Sequence, residues 1–337
     1  VIGGVDTHLD VHVAAALDPV GGVLGVESFA ASRGGYAALL EWLSSFGTVG
    51  KVGVEGTGAY GAGLCRFLVD AGIEVIEVDR PNRQVRRQKG KSDPADAVEA
   101  ARGVLSGRST GRPKSRDGKV EAIRVLLVAK RSARQGRLRA IHQMRQLSYT
   151  APEQLRARFK GLSTSDLIAE TAALRPRAGG DTVTYATKVA LASLGRRCLE
   201  LEEEIDHVDA LLAGLVEEAA PELLGLYGVG VDTAATLLVA AGDNPERLHS
   251  EAAFARLCGV APIEASSGKV TRYRLNRGGD REANAALWRI VMTRLSFDPR
   301  TRDYMERRTK EGRSKREVIR ILKRYVAREV FRVLPRS

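Results

Sequence analysis

Four carboxylates stand where a metal-dependent phosphoryl-transfer site needs acids. Asp6 follows the apolar run Val1-Ile2-Gly3-Gly4-Val5, and Glu55 follows Val52-Gly53-Val54. Asp93 and Asp96 lie three apart in Lys91-Ser92-Asp93-Pro94-Ala95-Asp96-Ala97. Two-metal phosphoryl chemistry needs several carboxylates converging on cations about 3.5–4 Å apart, to activate the attacking oxygen and stabilise the leaving one. Carboxylate and water ligands favour Mg2+ or Mn2+ over zinc. The three-residue spacing puts Asp93 and Asp96 on one helix face, with Pro94 in the first turn and Ser92 or Asp93 as cap. Plainer roles stay open: Asp93 as a cap, Asp6 as a turn residue. Glu55 is harder to explain away, because it interrupts an apolar strand. His8, Asp10 and His12 read as exposed strand residues, with Asp10 the one plausible spare ligand.

A second group of residues lies far downstream in Ala265-Ser266-Ser267-Gly268-Lys269, with Arg272, Arg274, Arg277 and Arg281 following. A serine nucleophile needs an exposed hydroxyl in a constrained turn with cations to hold the phosphate. Glycine lets the backbone approach that phosphate closely. On residue types alone the segment is either a phosphate-gripping loop or an ordinary polar turn. No histidine stands nearby, which disfavours a Ser-His-Asp hydrolase. Upstream, Gly228-Val229-Gly230 is either a helix-hairpin-helix turn whose amides grip a phosphate or a tight packing turn.

The elements that must position these groups are legible. Strands are expected over 1–6, 12–17 and 23–29, then a helix over 35–46, a strand over 52–55, a helix over 61–71, a strand over 73–78 and a basic helix near 82–88. Three hairpin strands followed by alternating helices and strands is the order of the ribonuclease-H-like fold, although other α/β folds fit it too. The start reads as a strand and not as a signal peptide. Residues 103–118 read as a loop and 119–147 as a long basic helix. A break is expected over 152–162, and a second long helix over 181–213. The two long helices suggest an antiparallel or intermolecular coiled coil. These readings give three regions: an α/β domain with the four acids (1–105), a basic linker with the long helices (106–218), and a mostly helical domain carrying the serine (219–337).

The formal charge of +12 over 337 residues is uneven. One basic block includes Arg124, Lys130, Arg131, Arg134 and Arg137, and another runs from Arg300 to the end. Two such blocks are the electrostatic footprint of a polyanion partner. At 5% aromatic content, broad base-stacking platforms are not expected. No apolar run approaches a membrane span. Three scattered cysteines form no metal spacing and fit a reducing cytoplasm.

Taken together, Gly4-Val5-Asp6, Val54-Glu55-Gly56-Thr57-Gly58, the 91–97 segment, Gly228-Val229-Gly230, Gly259-Val260-Ala261-Pro262 and Ser267-Gly268 resemble the insertion-sequence-110 family of transposases, the DEDD–serine recombinases. The resemblance covers nearly the whole chain. It implies a resolvase-like domain in which Asp6, Glu55, Asp93 and Asp96 bind Mg2+ or Mn2+, and a nucleophile at Ser267, with Ser266 the neighbour to be told apart from it. Family members often carry Lys-x-Gly after the serine segment; here Asn276-Arg277-Gly278-Gly279 has arginine instead. The resemblance further implies a phosphoserine intermediate, donor and target DNA, a structured non-coding guide RNA, and a dimer or tetramer working in the bacterial cytoplasm at the nucleoid. A guide would let base pairing read sequence while the protein reads backbone.

The leading expectation is therefore an RNA-guided DNA recombinase. Arg124, Lys130, Arg131, Arg134, Arg137, Gly228, Gly230, Lys269, Arg272 and Arg277 are expected to contact phosphates. The competing readings are a Holliday-junction-type endonuclease that uses water as nucleophile, and a catalytically idle nucleic-acid scaffold.

Overall fold

The computed structural model describes residues 1–78, 92–177, 181–244 and 247–335. The basic helix expected near 82–88 lies outside them. Two compact units divide the chain: residues 1–118 with 241–249, and residues 119–240 with 250–335.

The first unit is built on a five-stranded sheet. Strands β1 (Ile2–Thr7), β2 (Val11–Leu17) and β3 (Val23–Ala30) form an antiparallel meander, and β4 (Lys51–Glu55) and β5 (Glu74–Val78) run parallel to β1, in the order β3-β2-β1-β4-β5. Asp18 Oδ1 closes the β2–β3 turn by accepting from the amides of Val20 and Gly22, with Gly21 at φ +93°. Helices α1 (Arg33–Ser45) and α2 (Ala62–Asp70) cover one face, where Leu39, Leu43, Leu64 and Leu68 pack on Val5, Val52 and Val54. The opposite face takes α3 (Asp93–Leu105), whose Ala97 and Ala101 meet Val13, Ala15 and Leu17.

Two glycines bring α3 down onto the sheet. A Cβ on Gly4 would lie 2.3 Å from both Ala97 O and Ala101 N, and one on Gly53 would lie 2.9 Å from Ala100 O. These are backbone atoms of the helix, so no side-chain rotation relieves the clash. Alternation along a strand then places Asp6 two residues past Gly4, and Glu55 two past Gly53, on that same face.

Past α3 the chain loses regular structure, as the 103–118 composition predicts. Asn244 Nδ2 donates to Pro113 O at 2.9 Å, Arg247 Nε donates to Arg112 O at 2.9 Å, and Arg247 pairs with Glu77 at 3.4 Å. These bonds tie the 241–249 segment to the first unit.

In the second unit, α4 (Lys119–Thr150) and α7 (Thr182–Ala219) lie side by side and antiparallel. Lys119 pairs with Glu218, Lys130 with Asp209, and Arg137 with Glu202. Asp181 caps α7 by accepting from the Thr184 amide. The expected break at 152–162 holds a short helix, α5 (Glu153–Phe159), because Leu155 and Phe159 are buried there. Helix α6 (Thr164–Ala172) packs against α7 at Gly195, where a Cβ would meet Ala172 N at 2.5 Å. Beyond α8 (Pro221–Leu224), α9 (Val231–Ala241) and α10 (Glu251–Leu257) comes the β6–β7 hairpin (Ile263–Glu264, Tyr273–Arg274). It is followed by α11 (Arg281–Phe297), α12 (Pro299–Lys310) and α13 (Lys315–Val333). Among the described residues, no helix is long and apolar enough to cross a membrane.

Candidate active site

Asp6 leaves β1 buried, 7% exposed, and faces the N-terminal turn of α3. That turn carries Asp93, half-exposed, and Asp96, buried at 6%. Ligand atoms of Asp6, His8 and Asp93 lie within 4.8 Å of one another, with His8 Nε2 3.2 Å from Asp6 Oδ2 and 3.4 Å from Asp93 Oδ2. Burial pushes the Asp6 carboxyl above its ordinary value. His8 pulls against that shift, and the Asp96 and Asp93 carboxylates add to it. Negative groups held this close raise one another's proton affinity. A divalent cation among them would remove both the repulsion and the desolvation cost, so the donor set fits one.

Glu55 comes to the edge of this cluster through sheet register. Gly4 pairs with Gly53 and Val5 with Val54, so the next residues, Asp6 and Glu55, are lateral neighbours on strands about 4.8 Å apart. Thr7 Oγ1 donates to Glu55 O at 2.8 Å and ties the two strand ends together. Gly56 turns the chain away at φ +74°.

Two neighbouring residues depart from expectation, and a third, Asp10, does not. His8 is not a bystander: two positions past Asp6 in extended chain it returns to the same face, a period-two signal present in Asp6-Thr7-His8. His12 is fully buried and not exposed, stacked on Tyr36 at 5.6 Å between ring centroids. Burial lowers its pKa, which keeps the ring neutral. Asp10 is exposed, and its backbone carbonyl accepts from the Ala31 amide.

The serine segment is a β-hairpin. Ile263 pairs with Arg274 and Glu264 with Tyr273, and Ser267 and Val270 exchange two backbone hydrogen bonds of 3.1 Å. Gly268 and Lys269 form its two-residue loop. Gly268 at φ +56° is the first loop residue, the arrangement of a type II′ turn. Ser266 Oγ accepts from the Arg272 amide at 3.2 Å, so that hydroxyl braces the hairpin. Ser267 stands exposed beside the glycine, with no side-chain hydrogen bond among the described residues.

The basic residues separate into two kinds. Lys130, expected at a phosphate, is only 3% exposed and bridges Asp209 and Asp232, so it is a structural cation. Arg124 pairs with Glu121, Arg131 with Glu282 at 3.3 Å, Arg134 with Asp232 at 2.9 Å, and Arg137 with Glu202 at 2.9 Å. Much of the charge along α4 is thus offset within its own unit. Lys269, Arg272 and Arg277 are exposed and carry no ion pair among the described residues. In the glycine turn, Val229 N donates to Leu226 O and Gly230 N to Thr233 Oγ1, while Gly228 sits against Ile290 and Arg294. With those two amides engaged, the turn packs helices instead of presenting them to a phosphate.

Comparison with known proteins places both regions in one lineage. A transposase family model (DEDD_Tnp_IS110) matches residues 3–148 and so contains Asp6, Glu55, Asp93 and Asp96. A second, described as transposase IS116/IS110/IS902 family, matches residues 220–306 and contains the hairpin. The insertion element IS110 43.6 kDa protein of Streptomyces coelicolor is 29% identical over 154 residues, which is 45% of this chain and 38% of that protein. The insertion element IS900 42 kDa protein of Mycobacterium paratuberculosis is 25% identical over 191 residues, 52% of this chain and 48% of that one. The chain thus spans less than half the length of these relatives.

Proposed function

This chain belongs to the IS110 family of transposases, and we propose that it cuts and rejoins DNA strands through a covalent link at Ser267, assisted by a divalent cation at the acid cluster. The observation that carries this reading is the meeting of Asp6, His8 and Asp93 on one face of the sheet, with Asp96 and Glu55 beside them. The strand order, with three antiparallel strands and then two parallel to the first, supports a ribonuclease-H-like domain.

In this reading Asp6, Glu55, Asp93 and Asp96 hold Mg2+ or Mn2+, which when bound stabilises charge developing on the phosphoryl oxygens. Ser267 Oγ attacks phosphorus: the Oγ–P bond forms, the P–O bond to the departing strand breaks, and the serine proton ends on the departing oxygen. The hydroxyl of an incoming strand reverses these changes and releases the serine. Lys269 and Arg272 supply positive charge next to the hydroxyl. Donor and target DNA are the substrates, selected by a structured guide RNA, with the chain acting as a dimer or tetramer.

The test is a denaturing gel for a protein–DNA adduct, with Mg2+, the element's end DNA and its flanking non-coding RNA. An adduct lost with Ser267→Ala but retained with Ser266→Ala supports the mechanism. Cleavage without any adduct, surviving both substitutions, would instead make the protein a metal-only endonuclease of the Holliday-junction type.

A further inference from the structure

The chain entering and leaving the serine hairpin lines a cleft of about 500 Å³. Residues 259–262 form the way in and 275–277 the way out, and α13 adds Arg320, Ile321 and Lys323. The two roots are clamped together. A Cβ on Gly279 would lie 2.3 Å from Gly259 N, Gly259 sits at φ +66°, and Asn276 Nδ2 donates to Arg256 O at 2.9 Å. These bonds account for the Gly259-Val260-Ala261-Pro262 and Asn276-Arg277-Gly278-Gly279 segments, which lie far apart in sequence.

The cleft holds more positive than negative charge: Arg277, Arg313, Arg320, Lys323 and Arg324 line it with one acid, Glu317. Lys323 Nζ donates to Asn284 Oδ1 at 2.8 Å, and Asn284 is itself fixed by donating to Cys258 O at 2.8 Å and Gly259 O at 3.2 Å. Lys323 is half-buried, yet it forms no ion pair among the described residues; nor do Arg320, one turn earlier on the same helix face, and Arg277. The acid in the lining, Glu317, is engaged in the capping box of α13 with Ser314 and pairs with Arg313 at 3.7 Å; its carboxyl is held below its ordinary value by the Ser314 hydrogen bonds and, less strongly, by the Arg313 and Arg320 charges. Arg324 is paired with Glu251. Burial and the nearby Arg320 together hold the Lys323 ammonium below its usual value. A half-buried ammonium beside a like charge and without an ion-pair partner is costly, and Lys130 shows how this chain offsets a buried lysine when the role is structural, with two carboxylates.

We propose that this cleft binds a phosphodiester of a single nucleic-acid strand, with Lys323, Arg320 and Arg277 on the phosphate and Val260, Pro262 and Ile321 against the sugar or base. The site rests on the reading of the protein as a nucleic-acid strand-transfer enzyme and adds a grip to it. A strand held at the hairpin root leads toward Ser267, five residues further along, roughly 15 Å of extended chain. Fixed amide and ammonium groups here hold backbone without reading base identity.

Binding, not cleavage, tests this, so failure of the serine chemistry would leave the result standing. Fluorescence anisotropy would follow the full chain with labelled oligo(dT), oligo(rU) of equal length, and a duplex, across a salt series. Lys323→Gln and the exposed Arg320→Gln should each weaken single-strand binding roughly tenfold. Each should also flatten the salt slope by about 0.7. The control Arg196→Gln, on an exposed face of α7, should change it less than twofold. Preference for one sugar would identify the strand as DNA or RNA. Unchanged affinity and slope in Arg320→Gln and in a Lys323→Gln protein of wild-type melting temperature would overturn the proposal. Equal losses in Arg196→Gln would overturn it too, by reducing the effect to diffuse charge.

Discussion

Asp6 sits on a strand sandwiched between helices, whereas Ser267 sits on a hairpin whose residues 264–275 are all exposed. The acid cluster is positioned by long-range packing: Gly4 and Gly53 let α3 lie flat, and its first turn then delivers Asp93 and Asp96 over Asp6. The serine is positioned by local backbone geometry, through a two-residue turn at Gly268 and the Ser266 brace. Cations need ligands held to a fraction of an ångström, which a packed sheet and helix provide. A nucleophile that becomes covalently attached to a long polymer needs access, and an exposed hairpin gives it. Two sites of one chain therefore differ in what their mutation should do to folding.

The largest expected effect is at the sheet. Gly4→Val drives a side chain into the backbone of α3 and should destabilise the protein by more than about 4 kcal/mol, seen as loss of the urea transition or of soluble protein. A wild-type midpoint would mean that α3 does not rest on Gly4. Gly268→Ala, by contrast, meets nothing within 4 Å and bears only the left-handed backbone strain, about 1 kcal/mol.

Asp6→Asn should move stability the other way. Burial raises the folded-state carboxyl above its unfolded value near 3.8, so the folded protein binds that proton more readily. Wild-type stability therefore falls as pH rises from about 3.8 through the folded-state value. In chelator the Asn variant should melt about 1–3 °C higher at pH 7, with no advantage at pH 3. Saturating Mg2+ should raise the wild type and not the variant. A variant that melts lower in chelator at pH 7 would show that Asp6 is a structural acid. The smallest effect belongs to Ser267→Ala, expected within about 0.5 kcal/mol of wild type. Ser266→Ala, which removes the hairpin brace, should cost about 1 kcal/mol. Reversal of that order in thermal melts would exchange the roles of the two serines.

Much of the first unit was legible because its signals are short-range. Short apolar runs mark β1, β2 and β4, and Pro94 with Ser92 marks the start of α3. His8 reads in sequence as an exposed strand residue, although Asp6-Thr7-His8 carries the period that returns it to the Asp6 face. Lys130 reads in sequence as a phosphate contact, since a helix of arginines and lysines looks alike whether it faces solvent or the acids of a neighbouring helix. The hairpin around Ser267 is legible in the sequence only as a turn. Its strands, Ile263–Glu264 and Tyr273–Arg274, are too short for periodicity to detect.

Residue order alone established the chemical inventory: carboxylates at strand ends, an acid pair on one helical turn, a serine beside a glycine, and an excess of cations. It also set the boundaries of most elements of the first unit and the placing of the two long helices, because hydrogen-bonding period and capping act over a few residues. Which acids meet, and which cations remain without partners, depended on packing between segments distant in the chain. Gly4 against Ala97, Gly279 against Gly259, and Asp232 beneath Lys130 are contacts that no local pattern encodes. They decide the electrostatics because desolvation and pairing, more than residue type, determine what a charge can bind.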